Sequence, residues 1–106
     1  MEKTFYNKLV RDGIPDKLRK KGVSHETHIA SEEEYIDKLK DKLTEEAKEA
    51  VEASKEELVG ELADVIEVIH ALAKLSNITI DDIEPARIKK LQERGGFNGK
   101  IILDWS

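Results

Sequence analysis

Two helical segments separated by a few residues occupy the middle of this chain. In residues 31–53 apolar side chains recur every three or four positions, which is the periodicity of a helix with one buried face. Residues 54–76 repeat the pattern. Because the break between the segments is so short, the helices pack most simply side by side in opposite directions. The sequence therefore predicts an antiparallel helical hairpin.

Capping residues mark where these two helices should begin. Ser31 with Glu34, and Ser54 with Glu57, have the spacing of a capping box, in which each side chain bonds the other residue's backbone N–H. The first helix is therefore predicted to start at Ser31 and the second to start almost directly after the first.

Shorter helices are predicted on either side of the hairpin. Residues 14–21 form one, with Pro15 in its first turn and Gly22 at its end. Residues 81–93 form another, which Gly95 and the glycine after it should stop. Pro85 either kinks that helix or marks its true start.

The remaining segments suggest a little β structure. Residues 23–30 alternate loosely and residues 100–105 are largely apolar, so we interpret both as short strands that could pair as a small terminal β element. The predicted fold is mainly α, a single domain over residues 1–106. The hairpin is too small to cover its own apolar arc. We therefore expect a homodimer or homotetramer in which hairpins complete a four-helix bundle.

Charge is unevenly distributed along the chain. The net charge is −5, but residues 1–21 carry seven bases and three acids, and residues 85–106 carry five bases and two acids. The middle is acidic. Overall acidity argues against a nucleic-acid binder. Either the basic ends fold against the middle and neutralise it, or the middle holds cations while the ends hold an anion.

Several classes of protein are excluded by what the sequence lacks. Without cysteine the chain has no disulfide and no thiolate metal site. No apolar run approaches the ~20 residues of a membrane span, and the N-terminus has no signal-peptide core. We expect a cytoplasmic protein that binds neither membrane nor nucleic acid.

Four carboxylates interrupt the apolar faces of the predicted hairpin. On a helical wheel Glu61 and Asp64 fall inside the apolar arc of the second helix, and Glu46 and Glu49 border that of the first. Amphipathic helices ordinarily keep their acids on the opposite face. Antiparallel pairing about residue 55 sets Glu49 opposite Glu61 and Glu46 opposite Asp64.

Burying four like charges together is costly unless a cation compensates them. Oxygen ligands without sulfur or histidine favour Mg²⁺, Mn²⁺ or Ca²⁺ over Zn²⁺. The alternative is a non-enzymatic helical interaction module whose acids serve only for pairing. In such a module an apolar residue in place of Glu61 or Asp64 should stabilise the fold.

Three motifs together resemble a known family. The form EExxE over residues 45–49 is followed by ExxD over residues 61–64. FYNKLVRDGIP precedes them at residues 5–15, and KLQERGGF follows at residues 90–97. In this order, across roughly residues 5–103, they resemble the MazG-like all-α nucleoside triphosphate pyrophosphohydrolase superfamily, in its phosphoribosyl-ATP pyrophosphohydrolase-like branch.

The resemblance implies a hydrolase acting on acid anhydrides. Water would attack the α-phosphorus of a nucleoside triphosphate or related nucleotide, giving monophosphate and pyrophosphate, with house-cleaning of non-canonical nucleotides as one role. It implies Mg²⁺, replaceable by Mn²⁺, held by four ligands: Glu46, Glu49, Glu61 and Asp64. It also implies that the phosphates are held by four positively charged side chains: Lys8, Arg11, Lys90 and Arg94. Either Glu46 or Glu49 would be the catalytic base.

One feature departs from the family pattern. Only eleven residues separate Glu49 from Glu61, which is short for this motif. So short a connection leaves little room for an insertion that recognises a nucleobase. The natural substrate therefore stays open among a non-canonical nucleotide, a normal deoxynucleotide and phosphoribosyl-ATP.

Overall fold

The computed structural model describes residues 3–106, and its regular structure is entirely helical. Four helices follow one another along the chain: α1 (Ile14–Lys20), α2 (Glu32–Glu52), α3 (Leu58–Leu75) and α4 (Ile80–Arg94). Among the described residues, α2 and α3 are the two helices that pack extensively against each other. The prediction of a mainly α fold built on a helical hairpin is confirmed.

The start of α2 uses half of the predicted capping box. The Ser31 side chain accepts a hydrogen bond from the backbone N–H of Glu34 at 3.2 Å. The Glu34 carboxylate does not return the bond, because it pairs with Nε2 of His28 at 2.8 Å. Ser31 therefore caps the helix, while Glu34 ties the preceding loop to it.

The second predicted capping box forms in the turn ahead of α3. The backbone N–H of Ser54 donates to Glu57 Oε1 at 3.2 Å, and the N–H of Glu57 donates to Ser54 Oγ at 3.3 Å. The helix itself begins one residue later, at Leu58. The paired bonds thus shape the tight connection that turns the chain back on itself.

The start of α4 carries a capping box that the sequence analysis missed. Thr79 and Asp82 bond each other's backbone N–H groups, and the helix begins at Ile80. Pro85 therefore lies inside the helix, and the alternative that it marks the helix start is wrong. The aspartate hid the signal, because the usual box ends in glutamate or glutamine.

Glycines end α1 and α4, as predicted. Gly22 has φ of 70°, and the N–H of Val23 reaches back to the carbonyl of Leu18 at 3.0 Å. Gly95 has φ of 79° directly after α4. Glycine adopts these positive angles without the clash that a Cβ would cause.

The predicted β element is absent from residues 3–106. Residues 23–30 and 100–105 have no regular secondary structure. Two isolated short strands are marginal in water unless an apolar surface covers one face. The tail finds no such surface among the described residues, since Ile101 is 88% exposed and Trp105 is 85% exposed. The strand prediction is therefore wrong.

The buried core of the hairpin is small. Leu39 of α2 and Val68 and Ala73 of α3 are buried. Much of α3's apolar surface is exposed, and we call the following set the α3 stripe: Leu58, Val59, Leu62, Ile66 and Ile69. Across the part of the chain that the structure describes, no helix combines the length and the apolar character needed to span a bilayer.

Candidate metal centre

Three of the four predicted carboxylates meet between α2 and α3. One oxygen from each of Glu46, Glu61 and Asp64 lies within 4.8 Å of the other two. Glu61 and Asp64 share a face because they are three residues apart on a helix. The antiparallel packing brings Glu46 of α2 beside them. We call these three residues the carboxylate triad.

Two oxygens of the triad are buried without a hydrogen-bond partner. They are Oε2 of Glu46 and Oε2 of Glu61, and Glu46 as a whole is only 7% exposed. Buried polar atoms are paired in the great majority of cases, so an unpaired carboxylate oxygen needs an explanation. Hard divalent cations take such oxygens as ligands. The triad therefore fits a divalent cation by its chemistry and by its unpaired atoms.

The environment of Glu46 disfavours its charged form. Burial raises the pKa of Glu46, and the neighbouring Glu49 carboxylate raises it further. Lys42 works in the opposite direction but does not cancel the effect. A cation bound to the triad would reverse this balance, because it favours the ionised carboxylate.

Glu49 lies outside the triad. It is exposed and sits beside Glu46 on the same helix. The carboxylates brought together thus include Glu46 with Asp64 and Glu61, whereas the predicted pairing of Glu49 with Glu61 is not among them.

Lys42 is a neighbour of the triad that the sequence analysis did not single out. Its Nζ lies 3.3 Å from Glu46 Oε1 and 4.0 Å from Glu45 Oε2, and its side chain is only 18% exposed. The signal was present, because Lys42 precedes Glu46 by one helical turn, the spacing at which side chains meet.

The N-terminal segment lies against the acidic hairpin. Residues 3–13, which we call the basic arm, contain neither helix nor strand. Arg11 Nη2 donates a hydrogen bond to Asp64 Oδ1 at 2.8 Å, and Lys8 Nζ lies 3.8 Å from Glu45 Oε1. Of the predicted phosphate-binding residues, Arg11 therefore reaches the triad and Lys8 reaches Glu45 beside it, and this end of the chain does fold against the middle.

The other two predicted phosphate-binding residues are not brought to the triad. Lys90 and Arg94 are exposed on α4, and neither forms an ion pair within residues 3–106. Their neighbours pair within the helix instead: Arg87 with Glu84, and Lys89 with Glu93 at 3.9 Å.

The fold and site define a class: a helical-hairpin protein with a carboxylate cluster between its two long helices and a basic segment against that cluster. The chain belongs to the phosphoribosyl-ATP pyrophosphohydrolase family, whose family model matches residues 6–93. It is accordingly a hydrolase that acts on acid anhydrides. The matched region includes the triad, the basic arm from Tyr6 onward, and Lys90. Searches of curated proteins and of solved structures found no match.

Proposed function

We propose that this protein is a Mg²⁺-dependent nucleoside triphosphate pyrophosphohydrolase that releases a nucleoside monophosphate and pyrophosphate. The observation that carries the proposal is the buried, unpaired oxygen of Glu46 within the carboxylate triad. A purely structural hairpin would gain stability from an apolar residue there. Family membership supplies the reaction class.

Glu46, Glu61 and Asp64 would hold the metal ion, with Mn²⁺ as a substitute. Mg²⁺ bound at these oxygens would neutralise phosphate charge and lower the pKa of the attacking water. Glu49 was predicted as a fourth ligand. Its position outside the triad makes it the better placed of the two candidate bases.

In the hydrolytic step, the groups at the site account for the bond that forms, the bond that breaks and the proton that is released. A water oxygen bonds to the α-phosphorus while the bond from that phosphorus to the bridging oxygen breaks. Pyrophosphate leaves with the electron pair, and the carboxylate of Glu49 accepts the water proton. Lys8 and Arg11 of the basic arm would hold the negative charge on the phosphates.

The hairpin itself offers few contacts to a nucleobase. The connection from α2 to α3 runs from Ala53 to Glu57, and hydrogen bonds between Ser54 and Glu57 already tie it together. We therefore propose broad acceptance of bases, as suits house-cleaning of non-canonical nucleotides. Phosphoribosyl-ATP and normal deoxynucleotides are the competing substrates.

We propose further that hairpins associate as a homodimer or homotetramer to complete a four-helix bundle. The α3 stripe supports this, since Val59 is 79% exposed and Ile66 is 53% exposed. A second copy offers a surface of the same kind. In such an assembly, Lys90 and Arg94 of one copy would approach the triad of the other copy.

Light scattering after size exclusion tests the assembly. Leu62→Lys places a charge in the α3 stripe and should yield monomers. Glu67→Lys places a lysine at an exposed position of α3 that faces away from the stripe and should leave the assembly intact. A monomeric wild-type protein at micromolar concentration would exclude the bundle.

Product analysis tests the activity. The protein is incubated with Mg²⁺ and with normal, modified and phosphoribosyl nucleotides, and products are separated by anion exchange. We expect wild type to form monophosphate and pyrophosphate. Glu61→Gln should form them at least about a hundredfold more slowly. Glu67→Gln, an exposed acid of the same helix, should retain activity.

Two other outcomes would overturn the proposal. Release of diphosphate and phosphate would show that a different bond is cleaved. Absence of turnover together with absence of Mg²⁺ binding would favour the non-enzymatic interaction module.

A further inference from the structure

Asp64 takes part in both the carboxylate triad and an ion pair with the basic arm. It belongs to the carboxylate triad, and its Oδ1 accepts a 2.8 Å hydrogen bond from Arg11. The guanidinium therefore lies beside the oxygens that a divalent cation would use. The guanidinium and a divalent cation at the triad would repel each other, because both are positively charged and close together.

The contact between Arg11 and Asp64 is open to exchange. The Arg11 side chain is 57% exposed and the Asp64 side chain is 39% exposed. Ion pairs this exposed contribute little to stability, because water and salt screen them. The basic arm has no helix or strand of its own to resist a movement of Arg11.

We propose that Arg11 and a divalent cation compete for Asp64, so that metal binding displaces the guanidinium toward the phosphates of the nucleotide. This inference rests on the proposed metal site and adds an order to it. Arg11 neutralises Asp64 until the metal arrives, and then moves to the negative charge that enters with the substrate. The same residue thus opposes metal binding and favours phosphate binding.

A different geometry predicts the opposite sign. If the metal took the other oxygen of Asp64 while Arg11 stayed on Oδ1, the guanidinium would orient the ligand as an outer hydrogen-bond donor does. Removing such a donor weakens metal binding. The sign of the change therefore distinguishes competition from support.

Mn²⁺ binding without nucleotide, followed by electron paramagnetic resonance at low salt, measures this sign. We expect Arg11→Gln to bind Mn²⁺ about three- to tenfold more tightly than wild type, a modest gain because water screens the pair. Arg11→Lys keeps the charge and should stay close to wild type. Arg19→Gln removes the same charge from α1, where Arg19 pairs with Asp16, and should leave affinity unchanged.

Pyrophosphate binding in the presence of Mn²⁺ supplies the second half of the test. Here Arg11→Gln should weaken binding by about tenfold, since a charged hydrogen bond to phosphate is lost. Circular dichroism checks that each variant keeps its helices. Tighter Mn²⁺ binding together with weaker pyrophosphate binding supports the exchange.

The remaining outcomes are distinguishable. If wild type binds Mn²⁺, Glu61→Gln does not, and Arg11→Gln binds no more tightly than wild type, the exchange is wrong while the metal site stands. If wild type binds no Mn²⁺ at all, the proposed metal site is wrong and the exchange is wrong with it.

Discussion

Leu39 and Glu46 occupy equivalent places on one helix and differ in what burial does to them. They lie two turns apart on the same stripe of α2, and are 2% and 7% exposed. Burying the leucine stabilises the hairpin. Burying the glutamate leaves one oxygen unpaired and raises its pKa. The apolar half of the hairpin thus supports an acidic half that costs stability.

Stabilising and destabilising groups are both buried at the interface between α2 and α3 in this small fold. Stability and activity place opposite demands on a buried position, and natural proteins accept unfavourable groups at functional sites. Under the proposed function, the triad is such a site. The hairpin tolerates it because Leu39 and Val68 pack on the same interface.

The largest expected effect comes from the apolar half. Leu39→Ala should destabilise the protein by about 2–5 kcal/mol, because it removes a fully buried side chain and leaves a cavity. Urea denaturation followed by circular dichroism measures the loss. Val51→Ala, at a position 85% exposed, is the control and should change little. A loss below about 1 kcal/mol for Leu39→Ala would contradict its place as the centre of the core.

The next effect comes from the acidic half and has the opposite sign. Without metal, Glu46→Gln should stabilise the protein at neutral pH by on the order of 1 kcal/mol, since it removes a buried charge with an unpaired oxygen. Because the folded pKa of Glu46 is raised, ionisation costs stability as the pH rises. The advantage of the variant should therefore be absent below about pH 4 and grow toward pH 7.

Thermal unfolding across that pH range measures the advantage. Glu45→Gln is the matched control, because it removes the same charge from the adjacent, more exposed position, whose side chain is 37% exposed. An advantage for Glu46→Gln that is constant with pH would mean that its ionisation is not the cause.

Substitution of Lys42, the neighbour of Glu46 on α2, should change stability less. Lys42→Met keeps the apolar stem and removes the ammonium that lies 3.3 Å from Glu46. We expect a loss of at most about 1 kcal/mol and a further rise in the pKa of Glu46. Carboxyl resonances followed by NMR during a pH titration report that pKa. Lys40→Met, at an exposed position, should leave it unchanged.

The sequence specifies the helices and their register through local, periodic signals. Ser31 and Gly95 bound the helices where predicted, and the wheel positions of Glu46 and Asp64 anticipate their meeting. Helical periodicity carries this information because every turn repeats it. The strand prediction failed because alternation over a few residues does not supply a pairing partner.

The basic arm could not be placed from sequence. Its residues have no periodicity, so nothing local indicates that Arg11 would reach Asp64, 53 positions away. The partition of charge along the chain predicts only that the basic ends fold against the acidic middle or that each binds its own ion. The structure shows such contact for the N-terminal end, whereas Arg87 and Lys89 of α4 pair with acids of their own helix.

Thermal unfolding shows whether the triad destabilises the metal-free protein and whether a bound metal ion stabilises the fold through it. Thermal unfolding of wild type and Glu46→Gln is compared without and with millimolar Mg²⁺. A ligand that binds only the folded state stabilises it by RT ln(1 + [L]/Kd), so the gain grows with ligand concentration above Kd. We predict that Glu46→Gln melts higher without Mg²⁺, and that Mg²⁺ raises the midpoint of wild type alone. Equal shifts in both proteins, or none in either, would contradict the claim.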